Sequence, residues 1–223
     1  MRQWKFCKPT LVLLLAGLSL QPLPANAEAS GPGDLPLLIV LVRHADKASQ
    51  PADDPPLTTA GTQRAQDLAA SLKETQFTDI ITTQFLRVRN TAQPVATALG
   101  LTPEVLAIKD VNSKTDQDAH IKALVAALHR LAGRSVLVVD HGNMVSEIIA
   151  ALGGPRLPVI CDPVYDHLFV IIPAKGKIQL ISSRYGAPSP PAGPDCWVAP
   201  GFDAIGGEVS LCLKPTAARY VRR

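Results

Sequence analysis

The sequence lacks three features that each mark a class of protein. Its N-terminal apolar run, LVLLLAGLSL at 11–20, has ten residues, whereas a membrane-spanning helix needs about 20, so no stable membrane anchor is expected. No C-x-x-C pair occurs, which argues against a structural zinc site. No internal repeat occurs either, and 223 residues suffice for one domain with a well-filled core.

The chain after residue 27 also lacks an excess of positive charge. The whole sequence has 22 Lys and Arg residues against 19 Asp and Glu residues, but three of the basic residues and none of the acidic ones lie in 1–27. The rest of the chain therefore carries 19 residues of each sign. A nucleic-acid-binding protein would keep a basic excess on one face, so nucleic acid is not the expected partner.

The first 27 residues have the pattern of a secretory signal peptide. Arg2, Lys5 and Lys8 give a basic start, the apolar run follows, and the segment ends with small residues at 25–27. We predict cleavage after Ala27 and a mature protein that is periplasmic or secreted.

Export affects how the cysteines are interpreted. Cys161, Cys196 and Cys212 remain after cleavage, and an oxidising compartment permits a disulfide bond. Three cysteines allow three pairings, each with one thiol left over. Cys196 and Cys212 would close the shortest loop, but the sequence alone does not choose among the pairings.

Strand-like and helix-like segments alternate through most of the remaining chain. The pattern of apolar residues predicts strands at 37–42, 79–82, 104–108, 135–140, 167–172 and 178–182, and helices at 58–74, 86–100, 116–131 and 143–152. This order predicts an α/β fold, with a mostly parallel central sheet and helices on both faces. A flexible leader at 28–36 precedes this domain, which covers 37–186, and a Pro/Gly-rich extension at 187–223 is expected to pack on it.

Basic and imidazole side chains follow three of the predicted strands. Arg43 and His44 end the first strand, Arg87 follows the second, and His141 follows the fourth. Because ligands of open α/β sheets bind at the carboxyl ends of the strands, we expect these side chains to lie together. A guanidinium group matches phosphate oxygens, and a neutral imidazole is a competent nucleophile. The group predicts phosphoryl transfer through a covalent phosphohistidine.

Four sequence blocks carry a family resemblance. The chain contains, in order, LVRHADK, DDPPLTTAGTQRAQDLA, ITTQFLRVRNTAQPVA and VLVVDHGNMVSEIIAALGG. These blocks resemble the successive signatures of the histidine phosphatase superfamily, with its phosphoglycerate-mutase-like fold, and more narrowly those of its small bacterial members with an Arg-His-Ala motif. The resemblance covers 37–186. It implies a phosphoric monoester hydrolase that acts on a small-molecule phosphoester and needs no cofactor.

The resemblance also assigns roles to individual residues. It implies that His44 accepts the phosphoryl group and that Arg43, Arg87 and His141 surround the phosphoryl oxygens. Lys47, in the loop after His44, is a further candidate for a phosphate contact, with a solvated position as the alternative.

Members of this family use a carboxylate to protonate the leaving oxygen. Asp110 matches best, because it follows the third predicted strand, and Asp46 and Asp140 are rivals. A catalytic acid must be protonated at the working pH, which requires surroundings that raise its pKa.

Two departures from the family pattern concern the activity. Ala45 replaces the usual glycine of the first block, and this small residue should fit. The interval from Arg87 to His141 lacks the large insertion with which phosphoglycerate mutases hold sugar-acid substrates. Hydrolysis in an open pocket is therefore expected rather than mutase activity.

Two other functions use the same sheet edge. His44, Asp46, Asp140 and His141 are ligand types for zinc or manganese, although the neighbouring arginines would repel a dication. The other alternative is a non-catalytic phosphate-binding or envelope interaction module. The physiological ester and the oligomeric state are not predicted.

Some neighbouring residues have ordinary structural interpretations. Arg87 and Arg89 stand two apart on a predicted helix, so only one can serve the pocket, and Arg89 is expected at the surface. His120 and His129 on the third helix are interpreted as solvated or boundary residues, and His167 as structural.

Overall fold

The computed structural model describes residues 35–174 and 177–190 of the chain. The predicted signal peptide lies outside these ranges, as do nearly all of the predicted leader and most of the C-terminal extension, so these assignments stay predictions. Within the described ranges the elements follow in the order β1 (Leu38–Arg43), α1 (Thr59–Ser71), β2 (Asp79–Thr82), α2 (Leu86–Leu99), β3 (Glu104–Val105), α3 (Lys114–Arg130), β4 (Ser135–Asp140), α4 (Gly142–Ala151), β5 (His167–Ala174) and β6 (Lys177–Arg184).

The described strands form one sheet in the order β3-β2-β4-β1-β5-β6. Strand β4 pairs in parallel with both β1 and β2, and β3 extends this parallel part beside β2. Strand β5 is antiparallel to both β1 and β6. The predicted α/β fold with a mostly parallel central sheet is confirmed. Its register sets Arg43, at the end of β1, beside Asp140, at the end of β4.

Strand β3 is shorter than the predicted 104–108. Its ladder with β2 ends after Val105, and the amide of Gln84 then takes over the backbone groups of Ile108. The Gln84 Nε2 donates to the Ile108 carbonyl at 2.7 Å, and the Ile108 N–H donates to Gln84 Oε1 at 3.0 Å. A side chain therefore replaces the strand partner, and the chain leaves the sheet as a loop that stays close to the end of β2.

The core lies on both faces of the sheet, because alternate residues of a strand point to opposite sides. Ile39 and Leu41 of β1 belong to the cluster that packs under α3 and α4. Val40 and Val42 belong to the cluster that packs under α1 and α2. Each of these side chains is at most 2 % exposed, and burying one contributes roughly 1.5–3 kcal/mol. Strand β1 is thus held from both sides, which fixes the residue that follows it.

Helices α2 and α4 begin at the edge where β2 and β4 end. Thr58 and Ser113 cap α1 and α3 with their side chains, whereas Phe85 and His141, the N-cap residues of α2 and α4, make no such hydrogen bond. The positive ends of these two helix dipoles therefore lack a cap from their own N-cap residues. Both are suited to hold an anion at this edge of the sheet.

Two further findings concern the described part of the chain. None of its helices is long and apolar enough to cross a bilayer. Cys161 is disulfide-bonded, and the other cysteines lie outside the described residues, so the pairing that the sequence left open is not identified.

Candidate active site

His44 follows β1 directly and is 3 % exposed. Its Nδ1 lies 2.9 Å from the carbonyl oxygen of Ala45. Because a carbonyl oxygen only accepts, Nδ1 carries the hydrogen in the neutral ring and Nε2 keeps its lone pair. The Ala45 N–H in turn donates to Thr91 Oγ1 at 2.9 Å, which ties the end of β1 to α2. The ring is held in the tautomer that leaves Nε2 free to attack.

The surroundings of His44 keep it neutral. Burial lowers the pKa of His44 most, the neighbouring Arg43 and Arg87 charges lower it further, and the result is a pKa of about 3. Below this value the ring would be protonated and would have no nucleophilic lone pair. At neutral pH it is a nucleophile.

His141 lies beside His44 as the N-cap residue of α4. The centroids of the two rings are 5.6 Å apart. The His141 Nε2 is 3.1 Å from Thr83 Oγ1, and its Nδ1 is 3.5 Å from Nη2 of Arg87, which can only donate. Burial is the main cause that lowers the pKa of His141 to about 3. The second imidazole is thus neutral as well and linked to the second arginine.

Arg87 lies in the first turn of α2 and is 6 % exposed. Its guanidinium carbon stands 4.4 Å above the ring of Phe85. Among the described residues its Nε and Nη1 have no hydrogen-bond partner, although Nη1 forms an ion pair with Asp54 at 3.6 Å. The neighbouring Leu86 N–H donates to the same Asp54 oxygen at 2.9 Å. A carboxylate therefore already faces the N-terminus of α2.

Arg43 is buried beside His44, and much of its guanidinium group is engaged by the loop before β5. Its Nη1 donates to the carbonyls of Cys161 and Val164 at 3.0 Å and 2.7 Å, and its Nη2 donates to Asp162 at 2.5 Å. Within the described ranges its Nε has no hydrogen-bond partner. Three of the five N–H groups of the expected fork toward phosphate are therefore already engaged, by two carbonyls and one carboxylate.

The structure thus brings Arg43, His44, Arg87 and His141 together at the carboxyl edge of the sheet. Lys47 lies at the rim, where its Nζ is 3.5 Å from Asp162 and its side chain is 32 % exposed. The geometry agrees with the predicted convergence of these residues, while their chemical roles stay predictions. Arg89 is exposed, as its position on the opposite side of α2 predicts.

The carboxylates considered as the acid have different surroundings. Asp110 is exposed, and its Oδ1 accepts a hydrogen bond from the Asn112 N–H at 2.8 Å. The Asp46 carboxylate is bound to Arg64 at 2.6 Å. Asp140 accepts from the His141 N–H at 2.8 Å and contacts His120 at 2.9 Å. Both rivals are committed to other groups, and Asp110 is exposed rather than enclosed with His44, so its role as the acid stays a prediction.

The interpretation of His120 as solvated or at the boundary is wrong. The residue is 3 % exposed, and its Nε2 faces the buried Asp140 carboxylate. A signal was present in the sequence, because His120 precedes the apolar Leu124 and Leu128 by one and two i+4 steps on the same helix face. The ring supports the end of β4, where His141 follows.

Four further residues of the site were not predicted, although Asp54 and Thr83 lie within the sequence blocks quoted above. Thr83 contacts His141, Asp54 contacts Arg87, and Asp162 and Tyr165 contact Arg43. Asp54 and Asp162 lie in loops, where no periodic pattern shows which way a side chain points. Thr83 follows β2 directly, so the rule that placed His141 at a strand end would have found it.

The metal-binding alternative requires a convergent set of ligands. Within 35–174 and 177–190, no group of three or more His, Cys, Asp or Glu side chains is arranged to hold a metal ion. The carboxylates of Asp46 and Asp140 turn to Arg64 and His120 instead. The residues proposed as ligands therefore do not form a common site.

Comparisons with known proteins give a family match over part of the chain and solved structures with a similar fold. Residues 39–109 match the histidine phosphatase superfamily (branch 1). The protein histidine phosphatase SixA, in complex with tungstate, shares the fold with a TM-score of 0.53 and 21% identity over 66% of this chain and 96% of its own. The alpha-ribazole phosphatase from Shigella flexneri gives 0.50 and 16% over 65% and 94%. None of the curated proteins matches the sequence.

Proposed function

We propose that this chain, which has the fold and a matched segment of the histidine phosphatase superfamily, is a phosphatase. It would hydrolyse phosphate monoesters through a covalent phosphohistidine on His44. The observation that carries this proposal is a neutral, buried imidazole with a free Nε2, placed beside buried arginine N–H groups that have no hydrogen-bond partner among the described residues.

Those N–H groups indicate the kind of ligand. A buried donor without a partner costs about 1–3 kcal/mol, so a structure keeps such donors where a ligand satisfies them. Within the described part of the chain, the donors without a hydrogen-bond partner are Nε of Arg43 and both Nε and Nη1 of Arg87, of which Nη1 is ion-paired with Asp54. A phosphoryl group offers several acceptor oxygens and negative charge, and thus suits two arginines and two helix N-termini.

The reaction would proceed in two displacements. The lone pair on His44 Nε2 attacks phosphorus, an N–P bond forms, and the P–O bond to the alcohol breaks. The leaving oxygen takes a proton from a carboxylic acid, for which Asp110 is the candidate. A water molecule, deprotonated by the same carboxylate, then breaks the N–P bond, which releases inorganic phosphate and restores neutral His44.

The positive groups would lower the barrier of both steps. Arg43, Arg87 and Lys47 carry the positive charge, whereas the neutral His141 contacts Arg87. Since phosphoryl transfer needs little covalent help from the protein, positioning and charge stabilisation supply most of the rate.

Replacement of His44 by Ala tests the proposal. Hydrolysis of a generic aryl phosphate should fall by more than about a thousandfold, because the nucleophile is lost. The matched control is His129→Ala, an exposed histidine on α3, which should keep wild-type turnover. Equal turnover in wild type and His44→Ala would end the proposal. Phosphate binding by wild type without turnover of any ester would favour the non-catalytic binding module.

Export is a separate part of the proposal and rests on the N-terminal pattern alone. The mature protein should begin at Glu28 and collect in the periplasm or the medium. N-terminal sequencing of protein from each cell fraction measures this. An intact N-terminus in the cytoplasmic fraction would contradict export and leave the chemistry at His44 untouched.

A further inference from the structure

Asp162 forms ion pairs with two of the cationic side chains that are expected to bind phosphate. Its carboxylate lies 2.5 Å from Nη2 of Arg43 and 3.5 Å from Nζ of Lys47, and its side chain is 51% exposed. It is close enough to His44 for its charge to oppose the lowering of the pKa of His44, which burial dominates. A built-in anion therefore stands at the mouth of the pocket beside the nucleophile.

This carboxylate is not suited to be the acid of the reaction. Burial alone would raise the pKa of Asp162, but the charge and hydrogen bond of Arg43 and a hydrogen bond from Tyr165 hold that pKa below its usual range. It is ionised at neutral pH and carries no proton to donate. Its contribution to the reaction is its negative charge.

Asp54 pairs with the other arginine in a similar way. It lies 3.6 Å from Nη1 of Arg87, its side chain is 35% exposed, and it accepts a hydrogen bond from the Leu86 N–H. The two arginines beside His44 thus each hold a partly exposed carboxylate. A phosphoryl group that binds Arg43 and Arg87 therefore meets two carboxylates that already pair with these arginines.

We propose that Asp162 determines the leaving-group specificity of this site, which prefers esters of neutral or cationic alcohols to esters of anionic alcohols. The inference rests on the proposed phosphatase function. The phosphoryl group competes with Asp162 for Arg43 and Lys47, and the carboxylate then faces the alcohol part of the ester. A carboxylate or second phosphate on that alcohol is repelled, whereas a hydroxyl or ammonium group is not.

Two esters of the same carbon skeleton test the inference. Glycerol 3-phosphate has a neutral alcohol part, and 3-phosphoglycerate carries a carboxylate there. Wild type should hydrolyse glycerol 3-phosphate with the higher kcat/KM. Asp162→Asn keeps an oxygen that can accept from Arg43 and removes the charge, so it should raise the relative kcat/KM for 3-phosphoglycerate by about fivefold or more.

The controls separate charge from structure. Asp162→Glu keeps the charge and should keep the wild-type ratio. Asp118→Asn makes the same charge change at an exposed residue of α3, which pairs with Lys114, and should also leave the ratio unchanged. Inorganic phosphate should inhibit Asp162→Asn more tightly than wild type, because Arg43 and Lys47 lose their competing anion.

The outcomes distinguish the inference from the function on which it rests. A wild type that prefers 3-phosphoglycerate contradicts the inference, even if Asp162→Asn fails to fold. An active, folded Asp162→Asn with the wild-type ratio contradicts it as well. A wild type that hydrolyses neither these esters nor an aryl phosphate overturns the phosphatase function instead.

Discussion

At the scale of single residues, positions at the ends of strands predicted that the imidazoles and guanidinium groups lie together, and the family resemblance selected Arg87 over Arg89. Arg43, His44 and His141 sit where parallel strands end, and a sheet brings such ends to one edge whatever the loops do. Asp162 could not be found in this way, because it reaches Arg43 from a loop 119 positions away. Loop conformations depend on tertiary contacts that leave no periodic pattern in the sequence.

The two arginines of α2 give a matched pair for mutation. Arg87 is buried over Phe85, and its Nε and Nη1 have no hydrogen-bond partner among the residues that the structure describes, whereas Arg89 is exposed. Arg87→Lys keeps the positive charge but loses the planar fork and the stacking on Phe85, so kcat/KM for an aryl phosphate should fall by about 10- to 100-fold. Arg89→Lys should change it less than twofold. Equal effects of the two substitutions would exclude a special role for Arg87.

At the scale of elements, the apolar pattern located the helices and strands well. Thirteen- to seventeen-residue helices with clear apolar faces, such as α1 and α3, were predicted to within three residues at each end. Strand β3 is shorter than predicted, because the side chain of Gln84 takes over the hydrogen bonds of the backbone beyond it. Hydrogen bonds from a side chain to a distant backbone are invisible to periodicity.

The start of α4 depends on a glycine. A Cβ atom at Gly142 would lie 2.6 Å from the Ile160 carbonyl oxygen and 3.0 Å from the guanidinium carbon of Arg43. Gly142→Ala should therefore displace Arg43 from His44 and lower kcat/KM for an aryl phosphate by about tenfold or more. Steady-state kinetics with a thermal melt measures this. A folded variant with wild-type kcat/KM would show that the contact with Arg43 is unimportant.

At the scale of the whole molecule, the fold class was predictable because the apolar pattern within each element and the order of the elements along the chain indicate the same fold. Strands buried on both faces alternate with amphipathic helices, and this order leaves few topologies. The antiparallel pairing of β5 with β1 was not predicted, since strand order depends on which edge the last strands join. Assignments at 1–27 and 191–223 lie outside the described residues.

Buried neutral histidines make the fold sensitive to acid. Burial is the main cause that lowers the pKa of His44 and His141 to about 3 and that of His167 to about 4. The unfolded chain binds protons near pH 6.5, so below that value it takes up protons that the folded chain refuses. The buried histidines therefore cost no stability above about pH 6.5. Below that value the free energy of unfolding should fall as the pH drops, by up to about 1.4 kcal/mol per pH unit for each histidine.

Urea unfolding at several pH values from about 7 to about 5 measures this effect. The free energy of unfolding should decrease steadily over the range. Replacement of the exposed His129 by Gln should leave the slope unchanged. A free energy of unfolding that does not change over this range would show that folding does not lower the pKa of the buried histidines. His44 would then not be held neutral by its surroundings.

The central claim is that His44 carries the phosphoryl group during turnover. Enzyme mixed with an aryl phosphate, quenched within milliseconds into alkali and digested, can be analysed by mass spectrometry of the peptide that contains His44. One phosphoryl group is expected on His44 in wild type and in His129→Ala, and none in His44→Ala. Turnover with no phosphoryl group on His44, or with the group on another residue, would contradict it.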